Sequence, residues 1–158
     1  MLDKSMDYTI LDEIKSKYSK EEFYRMLSIL PLSLLREPIR ANPRMLVRHI
    51  PGFRAQHLPP KLVYRFYYER IYEKDDVGLL NTLKGLLDDS LCTIEENIKD
   101  SLNIEKDLVD KIEDVDIGTF KQFIDLLSET NFKNDINIYF KIKECKLNDE
   151  QTDYLKYY

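Results

Sequence analysis

The chain has 158 residues, 43% of them hydrophobic and 34% charged, with a formal net charge of −5 and two cysteines. That length suits one domain able to bury roughly two thirds of its unfolded surface, so a single helical domain over 1–158 is predicted. Cys92 and Cys145 lack CxxC spacing, the start MLDKSMDYTILDE has no leader character, and no 18 apolar residues run together; these features argue against a disulfide framework and a membrane span, and predict a soluble intracellular protein, cytoplasmic or nuclear, with reduced, partly buried thiols.

Glycine is scarce at four, and all six prolines lie between Pro31 and Pro60, which leaves two long helix-permissive stretches on either side. The predicted class is all-α, a compact helical bundle or short helical array of about 7–9 helices with a Pro-rich irregular segment at 31–60. The first helix spans Thr9–Lys17, with Ile10, Leu11 and Ile14 on one face. Ser19-Lys-Glu-Glu22 is a capping box that opens the second, which carries Phe23, Met26, Leu27 and Leu30 at helical spacing.

Pro31, Pro38 and Pro43 rule out one continuous helix through the next stretch, because each removes a backbone donor and disfavours helical geometry in the residue before it. Arg36 and Arg40 fall in a turn or short helix, and Asn42-Pro43 starts another that ends at Pro51-Gly52 and places Arg44 and Arg48 on one face. Pro59-Pro60 opens a strong helix to about Lys74, with Leu62, Val63, Phe66, Tyr67 and Ile71 toward a core and Arg65, Glu69, Arg70 and Glu73 away from it.

Val77–Leu91 is amphipathic, Thr93-Ile-Glu-Glu96 resembles a new cap, and Asn103 precedes a helical run from Ile104 to Val115. Gly118-Thr119 opens a helix bearing Phe120, Phe123, Ile124 and Leu127. Ile136, Ile138, Phe140 and Ile142 alternate with polar residues in a strand-like period of two, yet no second alternating run exists to pair with them, so helix is favoured. Asn148-Asp-Glu-Gln151 is a last capping box.

Charge is unevenly spread. Residues 32–74 hold nine Lys/Arg against three Asp/Glu, whereas residues 75–158 hold ten Lys against twenty Asp/Glu. No arginine follows Arg70. Arginine presents a planar, bidentate donor that lysine lacks, so its retention at Arg25, Arg36, Arg40, Arg44, Arg48, Arg54, Arg65 and Arg70 points to recognition of carboxylate or phosphate.

Phosphate loops, nucleophile elbows, HExxH pairs, EF-hand loops and zinc spacings are all missing from the sequence. His49 and His57 flank Pro51-Gly52 without an acidic partner or nucleophile nearby, so they are expected to supplement the basic surface. Asp88-Asp89 and Glu95-Glu96 are expected on a solvated helix face. No catalytic residue, metal, cofactor or small-molecule substrate is predicted, and the chain is expected not to be an enzyme.

The expectation is a non-catalytic adaptor or assembly subunit docking a partner protein with an acidic surface through Arg36, Arg40, Arg44, Arg48, Arg54, Arg65, Tyr68 and Arg70. The alternative is RNA or single-stranded DNA bound through the same arginines, with Tyr64 and Tyr68 as stacking platforms. The acidic total disfavours nucleic acid. Arginines paired with the chain's own acidic half would leave neither reading.

Overall fold

The structure, a computed structural model, describes residues 2–40, 58–133 and 135–158; the side chains of residues 2–8, 40, 106 and 107 fall outside that description. The predicted helix over Pro43–Ile50, the Pro51-Gly52 turn and both histidines lie outside the described residues. Among those described, the chain is all-α, with nine α-helices and no strand. No helix is long and apolar enough to cross a membrane.

Contacts group the chain into two compact units, Met1–Asp88 and Asp89–Tyr158. In the first, α1 (Leu2–Lys17) starts earlier than its apolar pattern suggests. Helix α2 (Lys20–Ser28) opens on the predicted box: Glu22 N–H donates to Ser19 Oγ, and Ser19 N–H donates to the Glu22 carboxylate. Phe23, Met26 and Leu27 form its buried stripe.

Helix α3 (Leu32–Arg40) contains Pro38. Proline at that position removes the donor that would close on the Leu34 carbonyl four residues earlier. The next carbonyl, that of Leu35, accepts a hydrogen bond of 2.5 Å from the buried Tyr67 hydroxyl.

Tyr67 comes from α4 (Pro60–Tyr68), whose start is set by Pro59 at the N-cap and Pro60 in the first turn. Helix α4 packs on α2 and α3, burying Val63 and Tyr67. It runs straight into a π-helical turn, Glu69–Glu73, closed by Lys74 N–H donating to the Glu69 carbonyl. That turn buries Ile71 and directs the Tyr72 hydroxyl to the end of α1, within 2.8 Å of the Tyr18 carbonyl and 3.2 Å of Ile14's. Asp75 follows in the left-handed region, φ 53°, and pairs with Lys15.

Helix α5 (Val77–Leu102) is unbroken, where the sequence suggested a new start at Thr93. Thr93 donates its hydroxyl to the Asp89 carbonyl inside the helix and caps nothing. A capping residue acts only after a chain break, and neither proline nor a turn precedes it.

In the second unit, the expected helix after Ile104 is reduced to α6 (Lys106–Asp110) and a 3-10 turn at Ile112–Asp114. Helix α7 (Ile117–Leu127) is capped by Asp116, which accepts from Thr119 N–H, and buries Phe120, Phe123, Ile124 and Leu127. Ile136–Lys143 is helical, α8, despite its alternation; Asp135 caps its start and Glu144 ends it in the left-handed region. Helix α9 (Asp149–Lys156) opens on the Asn148/Gln151 box. The fully buried Gln151 amide also donates to the carbonyls of Ile112 (2.7 Å) and Val115 (3.4 Å), tying the helix to the 3-10 turn.

Burial holds the phenols of Tyr67, Tyr72 and Tyr139 well above the ordinary tyrosine range; Tyr68, Tyr18 and Glu22 add to this at Tyr72, and Glu95, Cys145 and Asp110 at Tyr139. Unfolded phenols ionise near pH 10, and these three stay neutral there in the fold. Their contribution is therefore complete below about pH 10 and is lost as pH rises beyond it. The melting temperature will fall above that pH, and their phenolate absorbance at 295 nm will appear only together with loss of the helical circular dichroism. A phenolate component that precedes unfolding and disappears in Tyr67→Phe would contradict this assignment.

Candidate docking surface

Helix α4 faces the core through Val63 and Tyr67, so its opposite side, centred on Lys61 and Arg65, is turned to solvent. The Arg65 side chain is 66% exposed, and its Nε donates 2.6 Å to Glu69 one turn on. Hydrogen bonding and the charge of Glu69 hold this guanidinium above its ordinary value, so it is cationic at any working pH. An exposed pair within one helix is readily exchanged for an outside carboxylate.

On one flank of that face lies a set of tyrosines. Tyr24 meets Tyr64 and Tyr68 edge-on at 6.1 and 6.0 Å between ring centres, and Tyr68 stacks on Tyr72 at 4.6 Å. The Lys20 ammonium sits 5.3 Å from the Tyr68 ring centre and 6.0 Å from that of Tyr24. These rings are half-buried, and burial raises the Tyr64 phenol above its ordinary value. On the other flank is Leu62, expected in the core but 38% exposed; α3, which packs against α4, leaves Leu34 37% exposed.

The eight residues singled out from the sequence separate by role. Arg65 is exposed, as expected. Tyr68 is half-buried between Tyr72, Phe23, Tyr24 and Lys20. Arg70 is turned inward, its Nε and Nη2 both donating to one Asp76 carboxylate oxygen, at 3.1 and 2.8 Å. Asp76 in turn accepts from Leu79 N–H and so opens α5.

Arg36 donates from Nη2 to the Leu58 carbonyl at 2.7 Å, fastening α3 to the chain entering α4; its buried Nε has no acceptor among the described residues. Arg40 ends α3, with its side chain outside the description. Arg44, Arg48 and Arg54 lie outside the described residues. Lys20, Tyr24, Leu34 and Leu62 were not foreseen as surface partners. The four-residue spacing of Lys20 to Tyr24, matching Tyr64 to Tyr68, is the sequence signal that could have paired the two helices.

A second polar cluster belongs to the other unit. Lys143 reaches the Glu95 carboxylate at 2.9 Å and Asp110 at 3.5 Å, and the Tyr139 hydroxyl donates to Glu95 at 3.3 Å. Glu95, expected on a solvated face, is only 11% exposed, whereas Glu96 is exposed. Burial works against the Lys143 charge, but the Glu95 hydrogen bond and the charges of Glu95 and Asp110 outweigh it and raise its pKa.

Burial also pushes the nearby Cys145 thiol up, the opposite of an activated nucleophile. Cys92, expected to be partly buried, is exposed. Among the described residues, no three His, Cys, Asp or Glu side chains are grouped so as to hold a metal ion.

Comparison with protein-family models, with curated proteins and with solved structures gives no match. The side chains themselves are therefore the basis for any functional reading.

Arg70 and Arg65 differ in kind, which substitution will expose. Arg70→Gln removes a half-buried ion pair that also orients the α5 cap, and should cost roughly 1 kcal/mol in chemical unfolding. Arg65→Gln should leave the midpoint unchanged. Equal losses at the two positions would mean that Arg65 is as structural as Arg70.

Proposed function

We propose that this chain is a non-catalytic helical adaptor or assembly subunit that docks an acidic partner protein, with Lys61 and Arg65 of α4 at the centre of the contact. The observation that carries this reading is the solvent-facing Arg65 guanidinium, paired among the described residues with Glu69 one turn on, beside partly exposed leucine and tyrosine. Arginine and tyrosine next to exposed aliphatic surface are the residue types in which binding energy concentrates at protein interfaces. Arg36 and Arg70 support that face from behind, through the Leu58 carbonyl and Asp76.

Nucleic acid fits the same surface less well. Tyr68 has one ring face stacked on Tyr72 and a lysine ammonium close to the ring, so a base would have to displace packing to stack there. The net charge of −5 also opposes a polyanion.

Affinity capture from the native cell extract, with and without nuclease, tests the reading. A protein with an acidic surface should be retained after nuclease treatment and lost with Lys61→Glu/Arg65→Glu, a variant that should melt like the parent chain. Retention that nuclease abolishes would assign the surface to nucleic acid, as would an affinity falling steeply with salt for mixed-sequence RNA. Retention indifferent to the charge reversal would overturn the assigned face.

A further inference from the structure

Opposite charges sit in separate units of this molecule. Residues 1–88 carry a net charge of +3 and residues 89–158 a net charge of −8. Within the acidic unit, Asp89, Glu96 and Asp100 lie on α5 at intervals of seven and four, which places them along one stripe, and all three are exposed. None of them forms an ion pair among the described residues; Glu96 has only a long contact of 3.7 Å from the Cys92 thiol.

Glu96 and Asp100 are one helical turn apart, about 6 Å between β-carbons, and so are Lys61 and Arg65 on α4. Each like-charged pair repels within its own helix, and the two pairs are opposite in sign and equal in spacing. Lys84 and Lys99, also on α5, are half-buried and do not belong to the fully exposed stripe.

From this match we infer that the acidic surface recognised by α4 includes one on a second copy of the same chain: Lys61 and Arg65 of one molecule dock on Glu96 and Asp100 of another. The inference rests on the docking role assigned to α4 above and names a partner for that same face. Arg65 exchanges its Glu69 pair for a partner carboxylate, and Leu62 lies beside the contact. The joined surfaces are unlike, so each copy keeps one of each available; association either closes reciprocally in a dimer or extends into longer assemblies. Attraction between exposed charges makes the contact weak and strongly dependent on salt.

Sedimentation velocity of the full chain over a concentration series tests this at about 10 mM salt, where screening extends about 30 Å, and at about 1 M, where it extends about 3 Å. The expected result is concentration-dependent association at low salt and monomer at high salt. Lys61→Glu/Arg65→Glu and Glu96→Lys/Asp100→Lys should each be monomeric alone with unchanged circular dichroism and melting. Mixed together they should associate again in a one-to-one ratio, because each variant repels itself while both of its faces meet opposite charge on the other variant.

A monomeric parent chain at low salt overturns the inference, as does association that survives either charge reversal, or a mixture that stays monomeric. If the parent chain is monomeric but Lys61→Glu/Arg65→Glu still loses a captured acidic protein, self-docking fails and the adaptor reading stands. If the parent chain associates as described but captures no other protein, the adaptor reading is the one that falls.

Discussion

Short helices separated by proline leave backbone carbonyls without donors, and the first unit is organised around satisfying them with side chains from α4 and its continuation. Tyr67 donates to α3 at Leu35, and Tyr72 donates at the end of α1. Buried polar groups of this kind cost far more unpaired than they return when paired, so α4 can occupy only a position where both phenols reach their acceptors. Arg36 and Arg70 follow the same rule, one on the Leu58 carbonyl and the other on the carboxylate that opens α5. Because inward-turned side chains fix α4, its outer face is free to carry charge.

The second unit satisfies the same constraint differently. Its helices are capped by Asp116, Asp135 and Asn148, and Gln151 reaches across to two carbonyls of the preceding turns. The ion pair of Lys143 with Glu95 is supported by Asp110 and by the Tyr139 hydroxyl. Aromatic packing completes the core, with Tyr139 meeting Phe123, Phe132 and Phe140. Many of the remaining carboxylates are left on the surface, which is why this unit is acidic toward solvent as well as in sum.

How much of this was legible in the sequence differed with the kind of signal. Capping boxes at Ser19 and Asn148, and the paired prolines before α4, are local chemistry and appear where they were expected. Thr93 looked like a third cap but lies inside an unbroken helix, since a cap motif carries no information unless the chain has already stopped. The alternation over Ile136–Ile142 suggested strand, and the lack of any pairing partner correctly tipped it to helix. Among the arginines, composition could not tell Arg70, which turns back six residues to Asp76, from Arg65, which stays outside; that distinction depends on the π-helical turn, for which no sequence signal was visible. Glu95 and Glu96 were likewise indistinguishable until α8 brought Lys143 to one of them.

The π-helical turn at Glu69–Glu73 closes its ring over five residues, one more than an α-turn contains. Removing a single residue there would restore an ordinary α-turn, and the residues inside it would change their positions around the helix axis. Tyr72 would leave the end of α1, and the Arg70–Asp76 clasp would open along with the start of α5. The spacing from Tyr68 to Lys74 thus serves two attachments at once, the Tyr72 hydrogen bonds to the end of α1 and the Arg70–Asp76 pair at the start of α5.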